Sequence, residues 1–288
     1  MKEFNIKLLV LFIGFFLLMQ NFVFASDNNQ LTDFQLIKKI KKCTKKINKN
    51  PDNPKLYIER GHLEFLLKDY GSAVIDLTNA EDIDKDNFQI YYLRGQVWLA
   101  KNNYEEAIND FDKSIELKKK NPKAYYGRGL TKYKMGKLHQ AQADYNLAIK
   151  YDKRYKEAYL QHGIINNQLK KYKNAIDDFE KIIKLSKNSP DAYYYMGLVK
   201  IEQKRYEDAI EDFSKVIEQK VNFAPAYYER GKAYLKNGNK QFAKSDFQKA
   251  LSLDKGNKDY QDALKNLNKD LKDLYDTKLP DWMLNPAF

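Results

Sequence analysis

The hydrophobic and polar positions of this chain recur with a period of 34 residues. A glycine marks each period, with a tyrosine four residues before it, an alanine twelve residues after it and an aspartate fifteen residues after it. A large side chain, mostly aromatic, follows sixteen residues after the glycine. The glycines are Gly61, Gly95, Gly129, Gly163, Gly197 and Gly231. Self-similarity at one fixed spacing of this length predicts an array of small units, each packed on its neighbours.

Each period predicts two helices. The tyrosine and the glycine are four residues apart, so they lie one turn apart on the same face of a helix. Glycine has no side chain, so a second helix can approach its backbone closely, and the small alanine serves the same purpose on that second helix. Short polar turns, such as residues 101–103 and 237–239, separate the two segments. We therefore expect antiparallel helical hairpins that bury their apolar faces by stacking in series.

The run Ala-Tyr-Tyr-Glu-Arg-Gly at residues 226–231, with Ala-Ile-Glu-Asp-Phe at 209–213, resembles a tetratricopeptide repeat (TPR). The period, the glycine, the small residues and the aromatic agree with that family over residues 54–257; Ile182 and Val216 stand where the family usually has alanine. The resemblance implies an all-α fold, a right-handed superhelical solenoid of six 34-residue helix-turn-helix repeats with helical caps at both ends. The repeats would span residues 54–87, 88–121, 122–155, 156–189, 190–223 and 224–257.

The segments outside the repeats predict caps and an export signal. A basic, amphipathic helix within residues 26–53 would cover one end of the array, with Cys43 on its apolar side, and a helix over 258–276 the other. An apolar tail follows at 277–288. Residues 1–25 have a basic start, an apolar stretch and Ala25 at a cleavage position, which predicts a signal peptide and an exported protein, periplasmic or secreted. An uncleaved helix that anchors the chain in a membrane is the alternative.

Charge and motifs favour binding over catalysis. The 51 basic and 39 acidic residues give a formal net charge of +12, but much of the excess lies between residues 38 and 49, so basicity does not indicate a nucleic-acid partner. The sequence has no phosphate-binding loop, nucleophile elbow or paired zinc motif, and the three histidines are not spaced as ligands. The recurring aspartates belong to the repeat. We expect no enzymatic activity, no cofactor and no metal.

Four arginines directly precede the repeated glycine. Antiparallel helices bring that position close to the aspartate sixteen residues later, so we predict a ladder of ion pairs. His162 and Met196 replace the arginine in the fourth and fifth repeats and leave their aspartates to other partners. The predicted pairs begin at Arg60, Arg94, Arg128 and Arg230.

The resemblance also implies a binding surface, because TPR arrays line their concave face with the first helix of each repeat. Here that stripe is apolar and rich in tyrosine, a side chain that suits peptide recognition, and it does not carry the lysines and arginines of a carboxylate clamp. We predict a groove that holds a peptide or partner protein, in envelope assembly or secretion, and we expect its tyrosines to be partly accessible; pure packing is the other interpretation. The predicted groove residues are Phe65, Tyr92, Tyr126, Tyr133, Tyr194 and Tyr228.

A lysine cluster near the N-terminus offers a second function. Docking on anionic lipid or on an acidic envelope polymer is one interpretation of this cluster, and a solvated helix face is the other. The cluster is Lys38, Lys39, Lys41, Lys42, Lys45, Lys46 and Lys49.

Overall fold

The structure, a computed structural model, describes residues 31–278 and the side chains of residues 31–271. Every regular element in that range is an α-helix, as predicted. The predicted signal peptide and residues 279–288 of the apolar tail lie outside the described residues. The helices are α1 (Asp33–Ile47), α2 (Pro54–Leu66), α3 (Tyr70–Ile83), α4 (Phe88–Ala100), α5 (Tyr104–Leu117), α6 (Pro122–Lys134), α7 (Leu138–Tyr151), α8 (Lys156–Gln168), α9 (Tyr172–Leu185), α10 (Pro190–Glu202), α11 (Tyr206–Gln219), α12 (Ala224–Lys236), α13 (Lys240–Leu253) and α14 (Lys258–Lys278).

Helices α2 to α13 pair into helical hairpins, which confirms the predicted repeat architecture. The first helix of each hairpin is an even-numbered helix from α2 to α12. These helices begin at residues 54, 88, 122, 156, 190 and 224, which are the starts of the six predicted repeats. Helix α1 packs against α2, and α14 packs against α13, so each end hairpin is covered by one further helix.

The helices group into two compact units, Met1–Lys119 and Lys120–Phe288. In the first unit, α1 and the hairpins α2/α3 and α4/α5 pack in chain order. In the second unit, the hairpins α6/α7, α8/α9, α10/α11 and α12/α13 pack in the same way and α14 follows them. Within each unit, the second helix of one hairpin also packs against the first helix of the next.

The repeated glycine sets how closely the two helices of a hairpin approach. A Cβ placed on Gly163 would lie 2.6 Å from a ring carbon of Phe179, and one placed on Gly95 would lie 2.9 Å from the ring of Phe111. Both rings are fully buried, so they have no free space into which to move. The large residue sixteen positions after the glycine thus occupies the space that a side chain would fill, as the sequence pattern predicted.

A left-handed residue ends each first helix. In the first hairpin Lys68 has a φ of 64°, and the following N–H of Asp69 donates to the carbonyl of Glu64, which completes a Schellman turn. This turn reverses the chain with few residues. The same positive φ recurs every 34 residues, at Lys68, Asn102, Gly136, Lys170, Lys204 and Gly238.

The predicted ion pairs are confirmed, and each one joins the two helices of its own hairpin. Both carboxylate oxygens of the aspartate lie 2.5–3.0 Å from guanidinium nitrogens, the two-pronged geometry of the strongest ion pairs. The guanidinium carbon also lies 5.5–5.9 Å from the ring centre of the repeated tyrosine. We call these contacts the arginine clamps; they are Arg60–Asp76, Arg94–Asp110, Arg128–Asp144 and Arg230–Asp246.

The clamps also reach the preceding second helix. Arg60 donates from Nη1 to Thr44 Oγ1 on α1 at 2.9 Å, and Arg230 donates to Ser214 Oγ on α11 at 2.9 Å. One arginine therefore fixes three helices, and losing one partner of a buried pair costs about 3–5 kcal/mol in general. Where the arginine is replaced, another donor serves the aspartate. His162 Nδ1 lies 2.8 Å from Asp178 Oδ2.

A second donor to the aspartate comes from one turn further along the first helix. Lys132 Nζ lies 2.8 Å from Asp144 Oδ2, and Lys200 Nζ lies 2.6 Å from Asp212 Oδ2. In the first hairpin this position holds Glu64, which is buried beside Asp76. An ionised carboxylate there offers no proton, so the position favours the protonated acid.

Burial, the Asp76 carboxylate and the more distant Asp69 raise the pKa of Glu64 to about 7, against the opposing effect of Arg60. A carboxyl whose pKa rises on folding stabilises the fold most below its unfolded pKa, about 4.3, and this contribution is lost as the pH rises through about 7.

The close helix approach predicts that Gly163→Ala destabilises the protein. Because the new methyl group meets the buried ring of Phe179, we expect a loss of about 1–3 kcal/mol in the free energy of unfolding, measured by urea denaturation. Gly71→Ala is the matched control, since its nearest neighbour would be 3.7 Å away and alanine favours the helix α3. Equal losses in the two variants would contradict this packing.

The burial of Glu64 predicts a specific pH dependence. Glu64→Gln supplies a permanent N–H donor, so the variant should gain roughly 1–3 kcal/mol over the wild type at about pH 8 and little at about pH 5. Urea denaturation followed across this range would measure the difference. Glu59→Gln, an exposed change on the same helix, should leave the profile unchanged. Parallel profiles for Glu64→Gln and the wild type would refute the assignment.

Candidate functional site: the first-helix face

The first helices of successive hairpins meet one another on one side of each unit. Helix α2 contacts α4 in the first unit, and α10 contacts both α8 and α12 in the second. The residue after the repeated tyrosine and those four and seven positions later share a face of each first helix. In the second unit we call this set the first-helix face: Tyr126, Leu130, Tyr133, Leu160, Ile164, Asn167, Tyr194, Leu198, Ile201, Tyr228, Lys232 and Leu235.

Most predicted groove residues are half-buried, and one is not accessible. Tyr194 is only 5% exposed, so the expectation that it would be accessible is wrong. The rings of Tyr195, Phe213 and Phe223 lie 5.6–5.7 Å from its centre and enclose it. The half-buried members are Phe65 and Tyr92 in the first unit and Tyr126, Tyr133 and Tyr228 in the second.

The half-buried tyrosines also support the core. The ring of Tyr126 lies 5.7 Å from that of the fully buried Tyr145 and 5.2 Å from that of Tyr155. In the first unit, Tyr92 lies 6.3 Å from Phe111, and burial raises its pKa to about 12. These rings therefore pack on the core while part of their surface is left accessible.

The first-helix face is nearly free of charge. Its lysine, Lys232, pairs with Glu229 at 2.8 Å and lies 5.2 Å from the ring centre of Tyr228. The hydroxyl of Tyr133 accepts a hydrogen bond from Gln168 at 2.8 Å, which joins α6 to α8. The face thus presents aliphatic and aromatic surface with a few hydroxyl and amide groups, and it holds no group of cations that would bind a carboxylate.

Sequence analysis missed the aromatic residues that precede or flank the first helices. Tyr155 and Phe223 stand just before α8 and α12, at the same place in the period, and both pack on face tyrosines. Tyr260 of α14 lies 4.8 Å from Tyr228. The 34-residue register contained the signal for the first two, because other repeats have asparagine or serine at their position.

The described residues show no arrangement suited to metal chemistry. Within residues 31–278, no three histidine, cysteine or acidic side chains come together in a way that could hold an ion. His62 and His139 are exposed, and Cys43 is buried, with a pKa that burial raises. None of the described helices is both long and apolar enough to cross a bilayer.

The predicted lysine cluster lies on α1 and in the turn that follows it. All seven of its side chains are exposed. The apolar side of α1 instead packs toward α2 through Leu36, Cys43 and Ile47, which are buried.

Comparison with solved structures shows the same fold elsewhere. The TPR protein YrrB, described as having an unusual peptide-binding site, is 22% identical over 66% of this chain and 97% of its own, with a TM-score of 0.56. PilF from Pseudomonas aeruginosa is 18% identical over 73% of this chain and 95% of its own, with a TM-score of 0.64. MamA is 28% identical over 58% of this chain and 92% of its own, with a TM-score of 0.54.

Sequence comparison identifies the repeat itself. A family model described as TPR repeat matches residues 96–136 and 197–238. Two models described as tetratricopeptide repeat match residues 126–193 and 224–257. A search of curated proteins found no match. With its 34-residue hairpins, its glycine-to-aromatic packing and these matches, the chain belongs to the tetratricopeptide repeat family.

Proposed function

We propose that this protein is an exported scaffold that binds a polypeptide partner on the first-helix face of its second unit. The observation that carries the proposal is the nearly uncharged, half-buried surface that four consecutive hairpins present there. Tyrosine and aliphatic side chains on a rigid helical support give contact area at a small entropic cost. The description of YrrB as a peptide-binding TPR protein supports the proposal.

The chemistry of the face favours an apolar segment. Leu130, Leu198 and Ile201 offer no hydrogen bonds, while Tyr133 and Asn167 offer hydroxyl and amide groups beside them. A partner segment rich in aliphatic or aromatic residues would bury the former and bond to the latter. An acidic segment would find only Lys232, which Glu229 already neutralises. The proposed partner is therefore a peptide with hydrophobic anchors and few acidic residues.

The export signal predicted for residues 1–25 supports a role outside the cytoplasm. A binding scaffold in that compartment would serve the assembly of envelope components or secretion. The proposal gives the protein a binding role and no catalytic one, since the aspartates that recur in every repeat interact with the arginines and other donors of the hairpins.

Selection of peptides from a displayed random library on the full chain would test this function. We expect the selected peptides to carry aromatic or aliphatic anchors and to be poor in aspartate and glutamate. Leu130→Glu and Leu198→Glu should each weaken the best peptide about tenfold or more, because a carboxylate in the face must be desolvated without a partner. Isothermal titration calorimetry would give the affinities.

Matched controls keep this test independent of folding. Ala143→Glu and Ser245→Glu add the same charge at exposed positions of the second helices α7 and α13 and should leave the affinity unchanged. Circular dichroism would check that all variants are helical, and Asn167→Arg adds a charge at a position that is already polar. Selected peptides that bind the face variants and the wild type equally would overturn the proposal.

A further inference from the structure

Helix α1 exposes a stripe that packing does not explain. At 3.6 residues per turn, Phe34, Lys38, Lys41 and Lys45 lie within a narrow sector opposite the buried side chains of the helix. All four are exposed, and Phe34 is 75% exposed. Ile37, at the edge of the sector, is 41% exposed. The stripe extends for about 16 Å along the helix.

Part of the lysine cluster has a structural explanation, and the stripe does not share it. Lys39 and Lys42 stand 34 residues before Ala73 and Asp76, which are buried against the first helix of their own hairpin. Helix α1 has the register of a second helix, and no first helix of its own hairpin is described. Lys39 and Lys42 therefore solvate the end of the stack, as a cap requires.

The stripe combines uncompensated positive charge with exposed apolar side chains. Among the described residues, no carboxylate forms an ion pair with Lys38, Lys41 or Lys45. A phenyl ring in line with lysines is typical of helices that lie in a membrane interface, where the ring enters the acyl region and the ammonium groups stay with lipid phosphates. A soluble anionic polymer would give Phe34 no apolar environment.

We propose that the exposed stripe of α1 docks on the surface of a bilayer that contains anionic phospholipid. Phe34 and Ile37 insert below the headgroups, and Lys38, Lys41 and Lys45 contact the phosphates. The position in the chain agrees with this orientation. The apolar segment that ends at Ala25 precedes α1 by eight residues, so a retained anchor would hold the helix within about 28 Å of the bilayer.

Vesicle co-sedimentation of the full chain tests the proposal. We expect tighter binding to phosphatidylcholine vesicles that contain phosphatidylglycerol than to phosphatidylcholine alone, and a weaker preference at high salt. The ratio of the two affinities isolates the stripe, because an uncharged apolar segment does not distinguish these lipids. The combined change Lys38→Gln, Lys41→Gln and Lys45→Gln should reduce the ratio about a hundredfold.

Two further variants separate lipid docking from other uses of the charge. Phe34→Ser should weaken vesicle binding about tenfold, because it removes the inserted ring. Lys173→Gln, Lys187→Gln and Lys249→Gln together remove the same charge from exposed positions of the second unit and should change the ratio less than about twofold. All variants should melt as the wild type does, because the altered side chains are exposed.

Three results would overturn the proposal. The first is equal binding to charged and uncharged vesicles. The second is an equal loss in the stripe variant and in the control variant. The third is a loss in the lysine variant without a loss in Phe34→Ser, which would indicate that the stripe binds anionic groups without entering a bilayer.

Discussion

The structure depends on the close approach of two helices at one glycine in every repeat. With no side chain at that position, a leucine or an aromatic ring sixteen residues later can pack directly on the helix backbone. The arginine beside the glycine then reaches the aspartate of the same second helix. Apolar contact and ion pair therefore depend on the same helix separation. A change that pushes the helices apart would weaken both.

The repeats are not identical, and their differences show what the clamp requires. His162 replaces the arginine and still reaches its aspartate, while Met196 cannot, and Lys200 one turn later serves Asp212 instead. The constant requirement is a donor for a buried carboxylate, because an unpaired buried charge costs several kcal/mol. Glu64 is the exception in this series, and its raised pKa is the physical result.

The sequence was sufficient to predict the repeat and its clamps, because both follow from fixed spacings. Sixteen residues along an antiparallel hairpin bring Arg60 to Asp76 whatever the rest of the chain does. It was not sufficient for the accessibility of Tyr194, which depends on Phe223 from the turn before α12 and on Tyr195 beside it. It also did not indicate that Phe34 is exposed, since exposure of an apolar residue depends on which neighbours a helix has.

Residues that recur maintain the hairpins, and residues that vary between repeats form the surfaces available to partners. The first-helix face is the main surface of this second kind. Hydrogen–deuterium exchange of the full chain, with and without a selected peptide, tests this division directly. The account predicts slower exchange in α6, α8, α10 and α12 when the peptide is bound, since binding stabilises the helices that it contacts. Protection confined to α7, α9, α11 and α13 would contradict it.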